Sequence, residues 1–321
     1  MNVRDLTTAA VFSSVFIILS LIFIGLGLGY LGYIDFVVPV FTGILVLKCN
    51  IRYSVLASIT SLLLIVFLIG DISAAIMMTQ SMILGIVIGV AIKKGKGIYD
   101  DIFFCSMIAC LIVIIFDINF SFLTGYSVLK ECSQYLEYIP NDLEYIKDYI
   151  FYITISVLPV GTIILCYVIM LILGKKLNVL NEIGLIKAKI IFGYKKYSSL
   201  ITCSQSTIFI GICLIIVFAI LNNISLIKDY SYIKIICNCE LCISIYFILQ
   251  DSLSLINKFI FFKTKSRFKV FTVYIFMLLL LFKIFKVMTV FIVVISLLLN
   301  NKYEMKNRAE IILSKVVDTS I

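Results

Sequence analysis

The sequence predicts an all-α, polytopic transmembrane bundle, and three observations carry that prediction. Of 321 residues, 62% are hydrophobic and 14% charged, with a mean hydropathy of +1.16, the balance of a multi-span helical protein. Long apolar runs recur along the chain, several near or above the ~20 residues that carry a helix across a bilayer. The formal charge of +9 lies between those runs rather than within them. Together the runs predict about 8–10 membrane segments in contact with a lipid bilayer.

The same composition narrows the chemistry. The chain has no His, which removes histidine metal sites, Ser-His and Cys-His nucleophile pairs and imidazole relays. No Walker A lysine motif and no G-x-S-x-G elbow occurs, so the chain is not read as an enzyme, and no cofactor is expected. No basic stripe with interleaved aromatics marks a nucleic-acid partner. Most of the ten Cys sit in apolar runs, where thiols act as small hydrophobes, and free thiols are expected. The N-terminal apolar run is too long for the h-region of a cleavable signal peptide.

In order, the first run begins after Asp5 and carries Ala9, Ala10, Ser13 and Ser14 in its early turns. Two small-xxx-small pairs let another helix approach closely, either inside the bundle or on a separate subunit. Gly27-Leu-Gly29-Tyr-Leu-Gly32 spells G-x-G-x-x-G. It ends a membrane helix rather than following a strand, so a flexible outer loop is expected instead of a dinucleotide site. The second run, with Pro39 and Gly43, is short, and the third leads to Gly70-Asp71. The fourth holds Gln80, with Ser81, Gly85 and Gly89 on one face as a packing seam, and ends in a lysine cluster. The fifth carries Asp117 and Asn119 towards its far end.

The acidic, tyrosine-rich stretch 125–149 predicts one or two short amphipathic helices on the membrane surface, broken at Pro140. A sixth run over 150–173 includes Pro159, an expected kink. The lysine-rich connection after it predicts an amphipathic helix on the inner leaflet. Two further runs follow, the second holding Glu240 and Asp251. Glu240 is flanked by Cys237, Cys239 and Cys242, but their helical spacing is poor for a metal, and none is assigned. The last run, 270–299, contains Lys283 and Lys286. A lysine at mid-membrane costs roughly 3 kcal/mol on insertion scales, so the run is read as a hairpin turning at those residues.

With the N-terminus inside, most Lys and Arg residues fall on the inner side, which places both termini in the cytoplasm of a multi-pass cell-membrane protein. Asp35, Asp71, Asp117, Asn119 and the acidic loop then share the outer face. With Gln80 they are the candidate ligand-binding residues, and such a rim favours a cationic or hydrogen-bond-donating ligand. Polar groups at depth, Gln80, Glu240 and Asp251, are expected to face the bundle interior.

The N-terminal LTTAAVFSSVFIILSLI, the Pro39 run, the Gly85/Gly89 run ending in KKGKG, the acidic loop and the tail NKYEMKNRAE together resemble the YybS-like bacterial membrane proteins. These are similar in turn to the S components of energy-coupling factor (ECF) transporters. The resemblance implies a six-helix S-component-like core over 1–174, a basic cytoplasmic connection over 175–205, and additional membrane helices with a charged tail over 206–321. It further implies capture of an unidentified small molecule from outside. Energy would come from a coupling membrane subunit and ATPases, docked at Ala9/Ser13 and Ala10/Ser14. The alternative is a non-transporting scaffold or regulator that acts through its basic inner surface.

Overall fold

The computed structural model describes residues 3–95, 97–138, 144–197, 201–221 and 231–309, and these are helical with no strand among them. Pro140 and the C-terminal residues beyond Ala309 lie outside the described set. Seven helices are long and apolar enough to cross a membrane. The chain is therefore a multi-pass helical membrane protein, and it divides into two compact units.

The first unit comprises residues 1–189 and 222–243. Helix α1 (Val3–Gly25) is followed by a π-helical segment, Gly29–Val37, that runs directly into α2 (Val38–Lys48). Helices α3 (Ile51–Ile69), α4 (Ile72–Lys94) and α5 (Ile98–Thr124) go back and forth beside them. A short α6 (Val128–Glu137) leads to α7 (Glu144–Lys176) and α8 (Glu182–Phe192). All the helices α1–α5 and α7 meet at one lysine-rich end, where α1 starts and α2, α4 and α7 finish.

Helix α2 is the centre of this unit, buried at nearly every position from Val38 to Leu47. Glycine makes that possible. A Cβ at Gly85 of α4 would strike Thr42 Oγ1 and the Pro39 carbonyl, and one at Gly89 would sit 2.9 Å from the Gly43 carbonyl. The backbones of α2 and α4 thus touch where glycine removes side chains, the form of helix contact that lipid solvent favours. Ser81 is buried on the same helix.

Three expectations change here. The glycine-rich turn is an ordered π-helical segment, pinned where Tyr33 stacks on Phe23 at 4.6 Å and shares a 2.8 Å hydrogen bond with Ser20. The acidic stretch holds one short helix, α6, as expected, but the next helix, α7, starts at Glu144 rather than near 150. Pro159 lies inside that continuous helix. The basic connection does not lie wholly on a surface: Lys187 of α8 is 2% exposed. Residues 175–189 fall within the first compact unit.

The second unit comprises residues 190–221 and 244–321. After a four-residue α9 (Tyr194–Tyr197) it contains α10 (Gln205–Leu221), the later part of α11 (Ser231–Thr264), α12 (Arg267–Lys283) and α13 (Phe285–Tyr303). The run 270–299 breaks at Ile284 (φ −137°, ψ 63°), and α12 and α13 pack against each other. Leu249, Leu253 and Ile256 of α11 close a core with Leu281 and Ile292. Lys283 and Lys286 stand exposed at the break.

Candidate functional site

At the end of the first unit opposite the lysines, acids gather around the start of α6. Asp117 on α5 accepts from the Ser127 hydroxyl at 2.8 Å and from the Val128 N–H at 2.7 Å, which seats α6 on α5. Ser127 in turn accepts from the Lys130 N–H at 3.2 Å and caps α6. The Tyr126 hydroxyl donates to Glu131 at 3.0 Å. Burial, then that carboxylate, pushes the phenol up to about 12. Tyr126 feels the charges of both Glu131 and Asp35, while the thiol of Cys132 feels Glu131 and Asp117. Asp35, on the π-helical segment, is exposed. The structure therefore gathers Asp117, Tyr126 and Glu131 at the start of α6, while Asp35 reaches this group only through its charge on Tyr126.

The other candidate ligand residues have local duties. Asp71 accepts from the Ala74 N–H at 3.0 Å and caps α4. Ser73 donates to the Thr124 carbonyl at 3.2 Å, so α4 begins where α5 ends. Asn119 is exposed and donates to the Ile115 carbonyl of its own helix at 2.7 Å. Gln80 is half-buried on α4.

The candidate docking residues divide into two faces. Ala9 is buried against Leu45, Cys49 and Ala57, and the Ser13 hydroxyl donates to the Ala57 carbonyl at 3.3 Å. That pair is occupied inside the unit. Ala10 and Ser14 are exposed on the other side of α1.

The strongest polar constellations escaped sequence reasoning. Asp101, in the first turn of α5, is 4% exposed. Its Oδ2 accepts from Lys187 Nζ at 2.6 Å and from the Tyr167 hydroxyl at 2.6 Å. The ammonium also donates to the Ala91 and Ile92 carbonyls at 2.9 and 3.2 Å, closing the C-terminus of α4. Asn181 donates to the Lys93 carbonyl at 2.9 Å, and Lys93 Nζ reaches the Val46 and Cys49 carbonyls at the end of α2. Burial holds the Lys187 pKa below the usual lysine range, opposed by the Asp101 carboxylate. A usable signal was present: two acids, Asp100 and Asp101, follow KKGKGIY at a helix start, and Lys187 interrupts an apolar stretch.

The second unit holds a similar arrangement. Lys306 Nζ donates to Asp251 Oδ2 at 2.7 Å and to the Cys203 carbonyl at 2.8 Å, while the Cys203 N–H donates to Asp251 Oδ1 at 2.8 Å. Lys306, read in the sequence as part of a charged tail, is 2% exposed. The reason is electrostatic: a carboxylate within a membrane helix needs a counter-charge, and this tail lysine supplies it.

Glu240 differs from both aspartates. It is 1% exposed, and neither carboxylate oxygen has a hydrogen-bond partner among the described residues. Compared with known proteins, the chain matches no family model, no curated protein and no solved structure.

Proposed function

We propose that this chain is the ligand-capturing membrane component of a transporter, similar in role to an ECF S component, and depends on partner subunits for energy. The observation that carries the reading is the second membrane segment. It is a nine-residue π-helical stretch followed by a short helix enclosed on all sides by α1, α3, α4 and α7. Irregular backbone at membrane depth is tolerated where protein encloses it or a cavity is lined, and π segments recur at functional sites. In transporters a short, Gly/Pro-interrupted segment is the best pointer to the binding site. Here that segment carries exposed Asp35, whose charge reaches Tyr126 near the acids Asp117 and Glu131 at the start of α6, an acidic mouth suited to a cationic or hydrogen-bond-donating small molecule. The mouth is assigned to the outer face of a cell membrane and both termini to the cytoplasm.

The docking face for a coupling membrane subunit is narrowed to Ala10 and Ser14. The scaffold alternative keeps a basic surface, since Lys48, Arg52, Lys94, Lys175 and Lys176 are exposed, while Lys93, Lys187 and Lys306 are turned onto helix ends and carboxylates.

Two measurements on the full chain test the proposal. Mass spectrometry of protein purified from its native membrane is expected to find a co-purifying small molecule, retained by the wild type and lost from Asp35→Asn. Pull-down is expected to recover a coupling membrane subunit and ATPases, and Ala10→Leu/Ser14→Leu to lose them while still inserting. Absence of both ligand and partners rejects the reading.

A further inference from the structure

A buried charged group in a membrane bundle is expensive, and a stable bundle normally supplies it with a partner. Asp101 and Asp251 follow that rule, each with a lysine at 2.6 or 2.7 Å. Glu240 does not. It lies in the first unit, on the early part of α11, 1% exposed, and both of its oxygens lack a hydrogen bond among the described residues. An ionised carboxylate in that position would carry its full desolvation penalty.

Its surroundings are thiols rather than cations. Cys110, at the middle of α5 and 0% exposed, lies within the electrostatic reach of Glu240 and Cys239. Cys237 and Cys239 lie three and one residues before Glu240 on the same helix and feel its charge. Cys242 couples to Cys110 and Cys239. From α7, Tyr152 couples to Cys239 and Cys242, and its carbonyl accepts from the Cys239 thiol at 3.8 Å. On α5, one turn before Cys110, the Ser106 hydroxyl is also buried without a partner among the described residues. Thiols are weak donors and do not satisfy a carboxylate. No three acid or thiol groups converge closely enough to hold a metal ion among the described residues.

We propose that Glu240 is a membrane-embedded, reversible proton-binding site. The carboxylic acid form suits the site on two counts: it removes the unpaired charge, and it leaves a group that ionises only when water or a cation gains access. The ligand is the proton itself, taken up by one carboxylate oxygen and released to solvent with no redox change. The site is independent of the acidic mouth at Asp35 and of any transported molecule.

Infrared difference spectroscopy of the full-length protein in lipid discs reads the site directly. At neutral pH a protonated-carboxyl carbonyl band is expected, absent from Glu240→Gln, and lost reversibly as pH is raised. On wild-type protein, the apolar reagent dicyclohexylcarbodiimide, which adds to protonated carboxyls, is expected to modify Glu240 by peptide mass spectrometry. A water-soluble carbodiimide should modify Asp35 and spare Glu240. The proposal is overturned if Glu240 escapes the apolar reagent at every pH, if the water-soluble one labels it equally, or if its band never titrates while the protein stays folded. The labelling and titration arms need no variant, so misfolding of Glu240→Gln leaves the test intact. Cys110→Ser is expected to shift the titration while keeping the band.

Discussion

Lys187 and Asp101 show what a single buried ion pair does in this bundle. Each has lost nearly all contact with solvent, and the attraction between them must offset two desolvation penalties. The remaining protons of the ammonium are used on the Ala91 and Ile92 carbonyls, and Asp101 Oδ2 takes the Tyr167 hydroxyl as well. Removing one partner leaves the other charge stranded, which costs about 3–5 kcal/mol. Lys187→Met and Asp101→Asn are each expected to lower thermal stability in detergent by that order. The double change Lys187→Met/Asp101→Leu is expected to recover much of the loss, because no charge is then stranded. Single changes without effect would mean that the pair contributes nothing. Little of this was legible beforehand. The acids at the start of α5 are visible in the chain, but their partner is 86 residues away, and no local pattern reports a contact of that range.

Elements tell a more legible story. Ser81, Gly85 and Gly89 stand out by spacing alone, and the structure sets the two glycines against Pro39, Thr42 and Gly43 of α2. Spacing could name the seam but not the helix across it, since any neighbour gains from the missing side chains. Gly85→Ala and Gly89→Ala are expected to destabilise by about 1–3 kcal/mol, because the atoms a Cβ meets include backbone that cannot step aside. Gly161→Ala, in α7 with nothing within 4 Å of the added carbon, is expected to be neutral or stabilising by roughly 0.5–1 kcal/mol. Equal melting shifts for all three would show that packing between α2 and α4 is not what the glycines serve. The break in the run 270–299 was also readable, since two lysines have no place at mid-membrane. The structure sets it at Ile284, giving arms of 17 and 19 residues. These are longer than the ~13 that a strict division of the apolar run suggests, because α12 starts back at Arg267 and α13 runs on to Tyr303.

For the whole molecule the open quantity is orientation. Cysteines placed at Lys94 and Lys265, both exposed, are expected to resist a membrane-impermeant thiol reagent in intact cells when native thiols are absent. One at Glu137, exposed on α6, is expected to react. The reverse pattern would invert the topology. Gly95 is unsuitable for this purpose, as any side chain there meets Asp101. A reporter enzyme fused after Ile321 is expected to be active in the cytoplasm; its export would contradict a cytoplasmic C-terminus.

That lipid is the solvent and that the backbone is helical follow from the chain's composition and charge placement alone. Hydrophobic length and charge placement are properties of short stretches, and a bilayer leaves helices few alternatives. Tertiary structure alone decided which polar groups meet. It paired Asp101 with Lys187 and Asp251 with Lys306, turned Asp71 and Asp117 into caps, and left Glu240 buried without a partner among the described residues. It also decided that Ala9 and Ser13 face α3 while Ala10 and Ser14 do not. Adjoining faces of one small-residue helix look alike in one dimension, and only the arrangement of neighbouring helices tells them apart.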